Sequence, residues 1–224
     1  MIKEVIVIVS LIFFFVAEHV FPFFSQRSYK TLFKHDIKNI FIGLINAVVV
    51  AAFFVALWQK VSVSSFAQNF GLLNLLGTKF DVFAQGSVAS LLLALLLFDL
   101  WMYWWHRLNH VIPFFWKFHQ AHHTDTLMDS TSAFRFHTIE IVFSSIARLL
   151  VIPLLGMSMD QLLFYESILL PVIIFHHSNI NLPKRLDSSL RLIIVTPNHH
   201  RVHHSKIRRE TDSNYSSIFS FWDI

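Results

Sequence analysis

Long apolar runs separated by short polar stretches dominate the chain. The first, residues 5–24, has Lys3 ahead of it and no small-residue cleavage site behind it, which reads as a retained span rather than a removed signal peptide. Glu18, His19 and Pro22 sit near its end. The second, residues 37–58, is long enough to cross a bilayer, and the third, residues 88–105, crosses and continues into histidines. Two shorter runs, residues 139–155 and 161–175, flank Gly156-Met157-Ser158-Met159-Asp160. Each lies near the lower limit for spanning, so the pair forms either a full hairpin or a shallow re-entrant one. The pattern predicts an all-α integral membrane protein of about four to five hydrophobic helices.

Composition supports a bilayer as the solvent. Of 224 residues, 54% are apolar, 14% are charged and 25 are phenylalanine, against roughly a quarter charged in a soluble domain. The length suits one domain, residues 1–224. A net charge of +4 is modest, and neither a Gly-rich phosphate loop nor an RNA-binding signature is present, so nucleic acid is set aside as a partner. The basic residues report sidedness instead. Arg27, Lys30, Lys34 and Lys38 follow the first run, whereas only Lys60 and Lys79 follow the second. If the first loop is cytoplasmic, the third run delivers His106–His123 to that side. The tail, with Lys184, Arg185, Arg191, Arg201, Lys206, Arg208 and Arg209, returns to it. Every histidine cluster then lands on one face, as a histidine-rich cytoplasmic cap.

Cysteine is absent, which excludes disulfides, thiolate metal sites and iron–sulfur ligation. Any metal must be held by imidazole and carboxylate. Histidine is in surplus, with 14 residues, 12 of them between His106 and His204. Asp99, Tyr103, His106 and His110 fall at i, i+4, i+7 and i+11, one stripe of a helix. His106 and His110 can reach one metal from that face, with Asp99 or Tyr103 placed to hydrogen-bond a ligating ring. Taken alone, the pair fits an amphipathic helix end with solvated histidines equally well. His119-x-x-His122-His123 repeats the theme after Pro113, and His200-x-x-His203-His204 repeats it again behind Thr196 and Pro197, an N-cap and first helical position. Two such triplets, an H-x-x-x-H and the His176-His177 pair in one cysteine-free chain point to metal binding.

A structural zinc needs four ligands and a catalytic zinc three plus water. Nine or ten imidazoles exceed that, and the H-E-x-x-H of a zinc protease is missing. Imidazole suits iron, zinc, copper and nickel, so ligand type does not choose the metal. The surplus and the membrane setting favour paired irons that activate O2. The competing readings are a membrane haem protein or electron carrier, and a metal transporter or sensor.

The same residues carry a resemblance. The chain is similar to the fatty acid hydroxylase/sterol desaturase superfamily in its compact bacterial form. The likeness includes Glu18-x-x-x-Pro22, Asp99-x-x-x-Tyr103-x-x-His106-Arg-x-x-His110, His119-x-x-His122-His123, Arg135-Phe-His137-Thr-Ile-Glu140, His177-Ser-Asn179, His200-Arg-Val-His203-His204 and Asn214-Tyr215. It implies a helical membrane anchor with a cytoplasmic cap, holding two iron ions that use O2 to hydroxylate or desaturate a lipid, sterol or isoprenoid. Electrons would come from a separate donor (a ferredoxin, cytochrome or reductase), and the setting would be a bacterial inner membrane. The implied ligands are His106, His110, His119, His122, His123, His177, His200, His203 and His204. His137 is implied as either a tenth ligand or a group supporting one, with Thr138 standing where relatives carry proline. His176 and His199 are read as neighbours of ligands. Relatives continue beyond the Trp222-Asp223 motif, so the sequence is expected to be truncated there, with a looser cap as the consequence. Glu18, Arg148 and Glu166 lie in or near apolar runs and are given no catalytic role. Arg148 is expected to meet headgroups, a carboxylate or substrate.

Overall fold

The computed structural model describes residues 2–25 and 28–224; Arg27 of the first loop lies outside the described residues. The helices are α1 (Ile2–Val20), α2 (Tyr29–Phe53), α3 (Val55–Ala67), α4 (Leu72–Lys79), α5 (Val88–Val111), α6 (Pro113–His123), α7 (Thr138–Leu155), α8 (Met159–His177), α9 (Lys184–Leu190), α10 (Pro197–His203) and α11 (Arg208–Thr211). Among the described residues no strand forms, only the isolated bridges Pro22–Ile180 and Ile194–Phe219.

Four of these helices are long and apolar enough to cross a membrane: Lys30–Phe53, Val88–Val111, Thr138–Leu155 and Met159–His177. The α7–α8 pair therefore has the length of a full hairpin. Their outward faces are bare hydrocarbon, with Phe41, Leu44 and Val48 on α2 and Leu150 and Leu154 on α7 exposed. An apolar surface of that extent suits acyl chains. The first run differs from expectation. α1 is not among the four, because its 19 residues include Lys3, Glu4 and Glu18. The second run also differs: a helical break at Phe54 divides residues 37–58 between α2 and α3.

Polar residues at the run boundaries set the helix ends. Ser87 Oγ accepts from the N–H of Ser90 at the start of α5. Ser158 and Gln161 form a reciprocal capping box on α8. Thr196 Oγ1 accepts from the N–H of His199, with Pro197 at the first helical position, as the sequence indicates. Gly156 closes α7 at a φ of 70°, and Gly71 packs on it at a φ of 98°. A Cβ on Gly71 would lie 2.3 Å from the Gly156 nitrogen, so only glycine fits there.

The helices run alternately, leaving two unlike ends. At one end α3, α4 and the α7–α8 turn meet, fixed by Ser62 Oγ donating to the Met157 carbonyl (2.8 Å) and Gln161 Nε2 donating to Ser90 Oγ (2.9 Å). At the other end lie the α1–α2 connection, α6, and everything after α8. Glu18 is the clamp here. It is buried and accepts from Ser130 N–H (2.9 Å), Ser130 Oγ (2.7 Å) and Asn179 N–H (2.9 Å), tying α1 to two later segments. His35 at the start of α2 bridges Asp125 and Asp129 at 2.8 and 3.0 Å.

Asp99, midway along α5, has no solvent exposure. Its carboxylate accepts from Tyr165 Oη, the N–H groups of Ile218 and Phe219, and Trp222 Nε1. It thus anchors the C-terminal segment and touches no histidine, contrary to the role the stripe on α5 suggests. Tyr103 also bonds no histidine; its hydroxyl accepts from Arg107. Trp222 and Asp223 both hold the cap, Asp223 by accepting from the N–H groups of Tyr215 and Ser216.

Candidate metal centre

Nine of the sequence-derived histidines meet at the polar end of the bundle in two groups. His106 and His110 of α5, His119 and His123 of α6, and His203 of α10 form one. His122 of α6, His177 of α8, His200 of α10 and His204 just beyond it form the other. Within each group one ligand atom per residue lies within 4.8 Å of all the others. Each H-x-x-H-H triplet is divided. Its i and i+4 members enter one group and its i+3 member enters the other. The groups are neighbours, with the His123 and His204 rings stacked 4.4 Å apart.

The ring protons have been placed by the surroundings. A backbone carbonyl or a carboxylate can only accept, so an imidazole nitrogen bonded to one must carry the hydrogen. Nδ1 of His106 donates to Tyr215 O (2.8 Å), that of His203 to Ser213 O (2.6 Å), and that of His119 to Glu140 Oε1 (2.8 Å). In the second group His177 donates to Ile173 O (2.8 Å) and His122 to Arg135 O (3.2 Å). Each of these five rings is left with a bare lone pair on Nε2.

Those lone pairs face one another. The Nε2–Nε2 separations are 3.1 Å for His106–His203, 3.2 Å for His106–His119 and 3.0 Å for His122–His177. No proton is available between them, so as bare rings they repel. A shared cation removes the conflict. At metal–nitrogen distances of about 2.0–2.1 Å, two donors on one ion lie about 3.0 Å apart at right angles and about 3.4 Å apart in a tetrahedron. Both nitrogens of His110 are buried without a hydrogen bond, which leaves a further lone pair with no donor facing it. The donor set therefore fits two metal ions, one per group.

Electrostatics agrees for the cap residues. Burial, then the neighbouring imidazoles, holds His122, His200 and His204 well below the ordinary histidine range. For His203, burial outweighs the hydrogen bond to Ser213, and its value is pushed down to about 3. All are neutral at pH 7, the state in which imidazole ligates.

His137 joins neither group. It is exposed, and its Nδ1 accepts from the N–H of Ile139, capping α7. His176 packs against His200 with the rings tilted by 38° and their centroids 4.1 Å apart, outside both groups. Asp212, which sequence reasoning passed over, comes within 3.5 Å of His110 Nδ1. Glu140 was visible only as part of a motif; its bond to His119 spans 21 positions and follows from tertiary packing.

A cavity of about 240 Å³ opens over the rings. His106, His119, His122, His177 and His200 form its floor, and Met102, Trp105, Phe134, Phe136, Leu170 and Ile173 contribute apolar walls. Asn46, Ser144 and Arg148 add polar atoms to the lining.

Residues 91–224, more than half of the chain and all nine grouped histidines, match the fatty acid hydroxylase family. The chain is 29% identical over 134 residues to an ornithine lipid hydroxylase of Rhizobium tropici, covering 60% of this chain and 40% of that protein. Human alkylglycerol monooxygenase is 30% identical over 130 residues, 56% of this chain and 27% of its own length. Human cholesterol 25-hydroxylase is 26% identical over 141 residues, 59% of this chain and 48% of its own length. The chain thus spans less than half the length of these curated relatives. No solved structure matches it. The motifs, the helical membrane architecture and the match across the histidine region lead to one assignment: the chain belongs to the fatty acid hydroxylase family.

Proposed function

We propose that this protein is a membrane-bound di-iron oxygenase that hydroxylates a C–H bond of a lipid, sterol or isoprenoid, with O2 as co-substrate. The observation that carries the reading is the set of opposed Nε2 lone pairs beneath an apolar cavity. The ligands would be His106, His110, His119, His123 and His203 for one ion and His122, His177, His200 and His204 for the other. The relatives are named as hydroxylases and a monooxygenase, which favours an alcohol product over an alkene.

Bound iron would supply O2 activation, with one oxygen atom entering the C–H bond and the other leaving as water. The balance requires two electrons and two protons from a separate donor, a ferredoxin, cytochrome or reductase. The chain's own residues do the positioning. Carbonyls of Tyr215, Ser213, Ile173 and Arg135 and the carboxylate of Glu140 fix the tautomer of five rings, which keeps their lone pairs aimed inward. Phe134, Phe136 and Trp105 give a greasy chain a dry wall against which its carbon is held.

Five and four imidazoles packed this closely leave no gap between an axial pair for a porphyrin, which counts against the haem reading. Gathering at one end, rather than along a path through the spans, counts against transport. The active site would face the cytoplasm, in a bacterial inner membrane. Lys30, Lys34, Lys38 and the basic tail share its end of the bundle, which supports that orientation. The test is a lipid extract from cells making the wild-type chain or His200→Ala, grown under isotopically labelled O2. A lipid that gains a single labelled oxygen only with the wild type is the expected result. Identical extracts would refute the oxygenase reading.

A further inference from the structure

The cavity has a second polar end. Along α7, Glu140, Ser144 and Arg148 recur at every fourth position and all three line the cavity, one face of a largely apolar helix. From Glu140, beside the histidines, to Arg148 the helix rises about 12 Å. Arg148 stands among spanning helices. Its one hydrogen bond among the described residues runs from Nη1 to Glu166 Oε1 at 2.7 Å. Glu166 also accepts from Lys3 Nζ at 2.9 Å, so two cations share one carboxylate.

A guanidinium carries five N–H donors. With one spent on Glu166, the rest of the group faces the rings of Trp58 and Phe98, 5.2 and 5.6 Å away, and the cavity. Guanidinium donors held in an apolar wall are costly unless something accepts from them. Among the described residues none beyond Glu166 accepts a hydrogen bond from it, and the cavity is where an acceptor can arrive.

We infer that Arg148 is a specificity-determining residue that binds an acceptor oxygen of the lipid, a carboxylate or hydroxyl, about 12 Å along the helix axis from the carbon at the histidines. The inference rests on the reading of the cavity as the substrate site. It narrows the substrate class to lipids bearing an oxygen function at that distance from the oxidised carbon and disfavours plain hydrocarbons. Two-point attachment also fixes which carbon lies over the metal centre. A cationic guanidinium favours a carboxylate over a hydroxyl.

The test is binding of hexadecanoate, hexadecanol and hexadecane to the detergent-purified full chain, read by intrinsic tryptophan fluorescence. The wild type should bind the acid about tenfold or more tighter than the alkane, the worth of one charge-assisted hydrogen bond, with the alcohol between them. Arg148→Met should erase the ranking, with hexadecane bound at least as tightly as by the wild type. Arg148→Gln keeps a donor for Glu166, so it carries the test if the methionine variant fails to fold. It should bring the acid down to the level of the alcohol. An acid preference that persists in both variants, or a wild type that binds all three probes alike, would overturn the inference. Iron content of the same samples is read separately. An acid preference that the iron-free wild type shows and the Arg148 variants lose would refute the oxygenase and keep this site. Full iron with no effect of Arg148 would do the reverse.

Discussion

The two histidine groups contain the same donor atoms but are not held alike. In the five-membered group, His106, His119 and His203 are each pinned through Nδ1, one of them by the carboxylate of Glu140, while Nδ1 of His110 and His123 is buried without a hydrogen bond. In the four-membered group His122 and His177 lean on backbone carbonyls, while Nδ1 of His200 and His204 is buried without a partner. That second group gives three rings to the cavity floor, His122, His177 and His200, against two from the first, His106 and His119. A carboxylate behind an imidazole raises its basicity and fixes its orientation. The first group thus holds the one carboxylate-backed ring, and the second turns more of its rings to the cavity.

The comparison can be broken most directly by ligand deletion. His177→Ala leaves three imidazoles in the smaller group, and metal content should fall by about one ion per chain, with hydroxylation abolished. His123→Ala leaves four in the larger group and should retain most of its metal. Equal losses in the two variants, by metal analysis, would remove the asymmetry. Next in size is Glu140→Gln, which keeps an acceptor for His119 but discards the charge. It should weaken metal binding at the first group by about 10- to 100-fold and leave the second unchanged, seen as one of two phases in a chelator titration.

Smaller effects sharpen the boundary of the site. Asp99→Asn should lower stability by about 1–3 kcal/mol, because four donors converge on that carboxylate, while both ions stay bound. Thermal unfolding in detergent reads this, and metal loss at low temperature would show that Asp99 acts on the ligands after all. The smallest is His137→Ala, which should cost about 1 kcal/mol of capping energy and no metal. A lost ion there would restore His137 as a tenth ligand.

These differences trace what the sequence could and could not carry. Thr196 and Pro197 are a local start signal, and α10 begins there. The triplets were legible as ligand-bearing turns, but their division was not. On a helix the i and i+4 positions are separated by about 40°, whereas i+3 and i+4 are about 100° apart. The triplet therefore points two ways, and α5 and α8, remote in sequence, decide which group each ring joins. Asp99 shares a stripe with His106, yet seven residues amount to about 10 Å along the axis, and the C-terminal segment claims its carboxylate. Hydropathy ran straight through Phe54, since a break between two apolar helices leaves composition unchanged. Arg148 had three possible partners on sequence grounds, and only packing supplies Glu166.

The paired site is tested most directly by iron per chain, measured together with an optical spectrum on detergent-purified protein made with ample iron. It predicts about two irons and no Soret band, falling to about one iron in His177→Ala. A Soret band, or a single metal in the wild type, would contradict the paired site that the two histidine groups describe.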